Sequence, residues 1–289
     1  MAARLILNAD DFGLTRGVNR AVQELHTEGV LSSATLMANG TAFDDAVAIA
    51  KKLPALGVGC HVVLVDGTPV SPPESIPSLL GRNGKQFRAS LLDFAQALLL
   101  GSISEDEIER EALAQIEKLK LAGINITHLD THKHTHMFPG VARPLLRMMS
   151  TASIHAIRNP FEQTWSMRVS NAPATRRVQQ QLVNRFAPGF MKASARAIRP
   201  DAAVGVAATG TLDRATLEAL LTQLPMDGVY ELVCHPGYND AALDAVTTRL
   251  RGSREVEREA LLYVMPKIKS LPRAPQIIHY GSLEWQVDT

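Results

Sequence analysis

Residues 124–139 read Ile124-Asn125-Ile126-Thr127-His128-Leu129-Asp130-Thr131-His132-Lys133-His134-Thr135-His136-Met137-Phe138-Pro139. A short apolar run gives way to a polar segment holding four of the chain's nine histidines. Neutral imidazole is the commonest side-chain ligand for transition metals. In α/β proteins, chemistry gathers at the carboxyl ends of the strands. The stretch therefore predicts a strand that ends on a site.

Outward from it, strand and helix patterns alternate. Leu5–Ala9 is an apolar run of strand length, and Thr15 is placed to cap a helix bearing Val18, Ala21, Val22 and Leu25. Val30–Ala38 and Gly57–Val65 read as further strands, with a helix between them. Residues 66–87 are rich in Pro, Gly and Ser and predict a long loop, a lid or a substrate wall. Ser104 followed by Glu107 predicts a capping box. Ile154–Arg158, Val204–Ala208, Val229–Cys234 and Gln276–Tyr280 continue the strands. Repeated β-α units predict a parallel sheet, here a TIM-barrel-like (β/α) barrel in which fewer than eight strands are allowed. One domain is expected over 1–289, with a helical insertion at about 162–200 that carries Arg176, Arg177, Arg185, Lys192 and Arg196.

A net charge of +1 over 289 residues argues against a partner held by phosphate neutralisation, so no nucleic acid is expected. No apolar run of about 18 residues is present, and Met1–Arg4 leads directly into the first strand. A cytoplasmic location is the resulting expectation, with peripheral membrane contact through the basic helices and a homodimer left open. Cys60 and Cys234 each precede a histidine. Strand alternation turns each thiol away from its neighbour's imidazole, so two buried, reduced cysteines are expected.

Several residues share one address. Asp10 and Asp11 end the first strand, His61 lies in the third, and His132, His134 and His136 follow Asp130. Arg158 and His235 end two later strands. Singly, each has a bland reading: a turn aspartate, a core histidine, a surface arginine. Together they fall where strand ends converge. One Asp and two His make a common hydrolytic metal set, suited to zinc or magnesium. His-x-His-x-His cannot supply three ligands from ordinary loop geometry, so some of these histidines must face substrate or support the ligands.

Asn8–Gly13 with Asp-Asp-Phe-Gly, Gly59-Cys60-His61, Thr127–His136 as T-H-L-D-T-H-x-H-x-H, and Cys234–Tyr238 as C-H-P-G-Y occur in this order. In these motifs the chain resembles the YdjC-like carbohydrate deacetylase family over nearly its whole length. The resemblance implies a distorted barrel, an N-acetylated amino-sugar substrate, and one divalent metal ion, zinc or magnesium, on Asp11, His61 and His132. Asp10 is then the general base. His235 is the candidate acid for the leaving nitrogen, and Arg158 the residue that holds Asp10. His134, His136, Asn39 and Tyr238 are expected at the substrate or behind the ligands. Tyr238-Asn239-Asp240, the late Arg-rich helix and the mid-chain insertion look most like the subgroup associated with hopanoid biosynthesis, which implies a lipid-linked substrate. Chitooligosaccharide deacetylation is the nearest competitor. A metal-dependent phosphoester hydrolase and a non-catalytic binding protein are the rivals outside the family. The first lacks extra carboxylates and an obvious anion nest; the second is disfavoured by the intact acid and histidine set.

Overall fold

The structure, a computed structural model, describes residues 3–170 and 172–283. Its strands are β1 (Arg4–Phe12), β2 (Ser33–Leu36), β3 (Gly57–Val62), β4 (Ile126–Thr131), β5 (Ala202–Val204), β6 (Val229–Cys234) and β7 (Gln276–Ile278). Helices α1 (Arg16–Thr27), α2 (Phe43–Lys52), α3 (Leu91–Leu99), α4 (Glu105–Leu121) and α5 (Pro139–Thr151) occupy the first half. Then come α6 (Thr164–Val169), α7 (Ala174–Val183), α8 (Ala187–Ala193), α9 (Arg214–Thr222), α10 (Ala241–Asp244) and α11 (Arg251–Lys269).

All strand pairings are parallel, in the order β4-β3-β2-β1-β6-β5 with β7 joined to β1. β1 is the central strand. β6 pairs with it along Arg4–Ala9; the opposite edge is shared by β7 at Arg4–Ile6 and by β2 from Asn8 onward. Because every strand runs the same way, all carboxyl ends reach one end of the sheet.

A complete TIM barrel, the full form of the expected fold, is not what forms. Between β4 and β5 the ladder is replaced by an extended segment that makes isolated parallel bridges: Leu129 with Ile157, Ala156 with Ile198, and Glu162 with Ala203. Pro160 lies in this segment and has no N–H to donate to a ladder. The result is a curled parallel sheet. The strand expected at Val204–Ala208 is Ala202–Val204, ended by Gly205 at φ 89°.

Strand alternation sorts the side chains. On β1, Leu5, Leu7 and Ala9 belong to the main apolar core, whereas Ile6 joins a smaller cluster with Ala156, Val229, Ile278 and Tyr280. Asn8 and Asp10 share the parity of Ile6. Cys60, Leu129 and Cys234 likewise pack into the main core, and the polar His61, Asp130 and His235 beside them turn the other way. Both cysteines are buried and free. The concave face is thus polar toward its carboxyl end because the sequence alternates there.

The capping box at Ser104 does not form. The Ser104 side chain makes no cap bond, and Glu107 instead accepts from the Ser78 N–H and hydroxyl, each at 2.7 Å. Glu111 accepts from the Val70 and Ser71 N–H groups, both at 2.9 Å. Carboxylates of α4 therefore pin the 66–87 loop. Among the described residues, no helix is long and apolar enough to cross a membrane.

Candidate active site

Asp10 and Asp11 are adjacent on a strand and should face opposite ways. They do not. The β1–β2 register shifts between Ala9 and Phe12, and Asp11 has φ 64°. A bulge re-aims a side chain in this way. A non-glycine residue in the left-handed region carries strain of about 1–3 kcal/mol, held there by its surroundings. Gly13 follows at φ 93°, where a side chain would also strike Leu36 at 2.9 Å.

The Asp11 carboxylate lies beside two imidazoles. Its Oδ1 is 3.6 Å from His61 Nε2 and 3.3 Å from His132 Nδ1. Its Oδ2 accepts from Arg254 at 2.6 Å. Oδ1 is buried, and the nearby ring nitrogens are not aligned to donate to it. One ligand atom from each of Asp11, His61 and His132 falls within 4.8 Å of the others. His61 Nδ1 sits 2.7 Å from Asp130 Oδ1. If Nδ1 donates there, the Nε2 lone pair is left facing Asp11. A carboxylate–histidine pair of this kind commonly orients a metal ligand. A buried, unsatisfied carboxylate oxygen between two imidazoles fits a divalent cation. Burial alone would depress the His61 pKa; Asp130, with Asp10 and Asp11, outweighs burial and raises it to about 9.

Asp10 is held from beneath. Arg158, fully buried at the end of the 154–158 segment, donates to its two oxygens at 2.8 and 2.6 Å. The same guanidinium contacts Asp130 at 2.6 Å and Glu231 at 2.7 Å, and the Tyr280 hydroxyl donates to Glu231 at 2.5 Å. Asn8 donates to Asp10 at 3.0 Å. Burial would raise the Asp10 carboxyl, but Arg158 and then His61 hold it well below the usual carboxylate range. Asp10 is therefore ionised at neutral pH. Burial would raise the Asp11 carboxyl too, but Arg254 outweighs it and holds it well below the usual carboxylate range.

His235 Nε2 lies 3.7 Å from Asp10 Oδ2. The His235 backbone N–H donates to Glu257 at 2.6 Å, which fixes the turn at Pro236. Burial, only partly opposed by Asp10, lowers the His235 pKa to about 4, so the ring is neutral at pH 7. Burial raises Glu257 to about 7.

These groups form the floor of a cavity of about 520 Å³, within the range of small-molecule sites. Asp10, Asp11, His61, His132, His134 and His235 all line it. Left-handed backbone at Lys133 (φ 55°) and His134 (φ 52°) reverses the chain, so His134 stays on the cavity and His136 does not. His136 is buried, with Nδ1 2.7 Å from the Thr131 hydroxyl, and it braces the turn from behind. Two other expected contacts also lie off the cavity lining. Asn39 donates to the Thr68 carbonyl at 2.8 Å and ties down the loop. Tyr238 donates to Glu24 at 2.8 Å and is flanked by Arg20 and Arg258. A second cavity, about 600 Å³, opens at the opposite end of the sheet beside Arg4, His26 and His279 and is lined by no carboxylate.

Sequence reasoning passed over Arg254, Glu257 and Glu231. The first two sit on α11 among charges typical of a solvated helix, and only their depth distinguishes them. Asp130 was visible as part of the histidine motif, without its role behind His61. Residues 176–183 of the insertion line the cavity wall through Arg176, Gln179, Gln180 and Val183.

Fold and site together define a parallel α/β protein with a carboxylate–imidazole cluster of single-metal size at the carboxyl end of its sheet. The chain belongs to the YdjC-like family, whose model matches residues 4–266. It is 45% identical over 145 residues to a carbohydrate deacetylase of Brevibacillus brevis, covering 50% of this chain and 55% of that protein. The chain thus spans about half the length of that relative. A carbohydrate deacetylase of Geobacillus stearothermophilus is 33% identical over 238 residues, covering 82% and 81% of the two chains. A chitooligosaccharide deacetylase of Enterobacter sp. strain 638 is 38% identical over 174 residues, covering 59% and 66%. In fold, the chain is similar to a crystal structure from Enterococcus faecalis V583, named as a candidate cellobiose-phosphate cleavage protein. The TM-score is 0.75 at 24% identity, over 98% of this chain and 99% of that one.

Proposed function

We propose that this protein is a metal-dependent N-deacetylase of N-acetylated amino sugars, releasing a free amine and acetate. The observation that carries the reading is the unsatisfied Asp11 Oδ1 between His61 and His132, beside an Asp10 held ionised by Arg158. Relatives named carbohydrate deacetylase support the substrate class.

Asp11, His61 and His132 would hold the ion, zinc or magnesium. Bound there, a divalent cation supplies Lewis acidity toward an amide carbonyl and lowers the pKa of water. Asp10 accepts the proton of the attacking water, and Arg158 keeps its carboxylate aimed and charged. An amine anion leaves badly, so the departing nitrogen needs a proton. His235 is neutral at rest and 3.7 Å from Asp10. It therefore acts as a relay, taking up a proton before giving one to the nitrogen. His134 offers a neutral imidazole to the sugar from the cavity wall; burial lowers its pKa to about 3.

The finer reading is an N-acetylglucosaminyl hopanoid as substrate. Its support is the exposed Val178 and Leu182 on α7, a helix that also lines the cavity and carries Arg176 and Arg177. Such a face suits contact with a lipid aglycone or a membrane surface. Chitooligosaccharide deacetylation is the second reading, favoured by the Enterobacter relative.

The test is acetate release from a glycosylated hopanoid and from short chitooligosaccharides. It is run after chelation and again with zinc or magnesium restored, with Asp10→Ala and His61→Ala as controls. Metal-restored release is expected. Asp10→Ala should lose several orders of magnitude in turnover while still binding metal, and His61→Ala should lose the metal. Normal turnover in Asp10→Ala would remove it as the base. No release from any acetylated sugar, with metal bound, would overturn the deacetylase reading.

A further inference from the structure

The turn after β6 leaves one buried ring nitrogen unpaired. His235 Nδ1 makes no hydrogen bond among the described residues, while Nε2 is turned to Asp10 Oδ2 at 3.7 Å. Buried polar groups without partners are rare and call for a reason.

Beside Nδ1 stands the buried carboxylate of Glu257, with Oε2 4.0 Å away. That oxygen already accepts from the His235 backbone N–H at 2.6 Å. The turn is pinned to α11 twice more. Gly237 N–H donates to the Arg254 carbonyl at 3.2 Å, and Arg254 donates to the His235 carbonyl at 3.5 Å. Turn and helix are thus fixed against one another, and a shift of about 1 Å in the carboxylate brings Nδ1 to hydrogen-bond length. Such contacts are often long in a free enzyme and tighten when substrate binds. One face of α11 then serves the site twice, three residues apart: Arg254 on Asp11 at 2.6 Å, and Glu257 on His235.

Proton relay by His235 needs a lone pair on Nε2, and hence the hydrogen on Nδ1. A carboxylate that accepts from Nδ1–H fixes this tautomer and stabilises the imidazolium formed when Nε2 takes up a proton. Burial works against that charged ring and lowers His235 to about 4. Burial also raises Glu257 to about 7, against the His235 N–H, Arg254, the Gly210 N–H and the Ser253 hydroxyl, so its ionised form is present at neutral pH.

We propose that Glu257 is a positioning residue for amide cleavage: its carboxylate accepts from His235 Nδ1–H and keeps Nε2 free to carry a proton from Asp10 to the departing nitrogen. Its role in the reaction rests on the deacetylase reading; the contact itself does not. Asp10 passes to Nε2 the proton it took from water. The C–N bond breaks, its electron pair goes to nitrogen, and Nε2 gives nitrogen the proton. Nδ1 keeps its hydrogen throughout, and Glu257 gains and loses none.

Glu257→Gln keeps an oxygen for the His235 backbone N–H but offers Nδ1 no charge. Metal-loaded wild type, Glu257→Gln, Glu257→Asp, His235→Asn and the Glu257→Gln/His235→Asn double variant are compared on two kinds of substrate. Short chitooligosaccharides and a glycosylated hopanoid release an amine that must be protonated to leave; 4-nitrophenyl acetate releases a phenolate that need not be. Glu257→Gln is expected to lose kcat on the order of a hundredfold on the sugars, with KM unchanged. It should lose little on the aryl ester and add nothing to His235→Asn. Glu257→Asp should recover part of the loss. Nitrogen-15 NMR of the metal-free, histidine-labelled proteins reads the tautomer, with His235→Asn identifying the resonances. His235 should be mainly Nδ1–H in the wild type and shift toward Nε2–H in Glu257→Gln. Equal losses on sugar and ester, or losses that multiply in the double variant, would show that Glu257 only holds the turn and would overturn the proposal. An unchanged His235 tautomer in Glu257→Gln overturns it whatever the activity. Absence of acetate release from every sugar in the wild type, with the tautomer still tied to Glu257, leaves the contact standing and removes the deacetylase reading.

Discussion

Arg158 shows how one residue can set the electrostatics of a site. It meets Asp10, Asp130 and Glu231 at 2.6–2.7 Å while fully buried. Breaking a buried ion network strands its partners at a cost of about 3–5 kcal/mol. Arg158→Met is therefore expected to lose stability of that order in urea unfolding. Arg158→Lys should recover little of it, since an ammonium cannot make the bidentate contact. A loss under about 1 kcal/mol in either variant would contradict this account of the network. Asp10, Asp11, His132 and His235 could be read from the sequence as candidates because they follow apolar runs, and His61 because it interrupts one. Their supports could not. Arg254 and Glu257 repeat at helical spacing among exposed charges, and no local pattern marks them as buried. Tyr238 misled for a related reason: its motif adjoins the site, but its ring turns to Glu24 and two arginines.

Among the elements, β3 and β4 are locked by a missing side chain. A Cβ on Gly59 would meet the His128 ring, with Nε2 at 2.6 Å, and that ring stacks on Tyr280 at 3.7 Å between centroids. The Tyr280 hydroxyl in turn donates to Glu231. Gly59→Ala is expected to destabilise the protein by about 1–3 kcal/mol, the range for overpacking. A parallel loss of Tyr280 near-UV circular dichroism would mark the disturbed stack, and an unchanged unfolding midpoint would refute it. The parallel β-α order was legible from periodicity. The gap between β4 and β5 was not, because Ile154–Arg158 has a strand's composition and only the tertiary path shows that it makes single bridges. The capping box at Ser104 failed for a comparable reason: Glu107 found tertiary donors at Ser78.

For the whole molecule, buried acids and imidazoles make stability depend on pH in opposing ways. Glu257 has a folded pKa of about 7, above its usual 4.5. Between those values the folded state binds more protons than the unfolded one, so this group's contribution falls as pH rises, by at most about 1.4 kcal/mol per unit. His235, lowered to about 4, acts oppositely below pH 6.5. A difference measurement separates them. Glu257→Gln should gain stability relative to the wild type as pH is raised from 5 to 7.5, with little further change above. A pH-independent difference would show that Glu257 does not titrate in that window.

The pairing of β1 also fixes an order of events during synthesis. β1 is made long before two of its partners: its β6 edge must wait for Val229–Cys234, and the Arg4–Ile6 part of its other edge for Gln276–Ile278. An apolar central strand with an open edge is a template for wrong partners. Those edges of β1 therefore stay open until β6 and β7 have been made. The slow folding step should be the late docking of β6 and β7 onto β1.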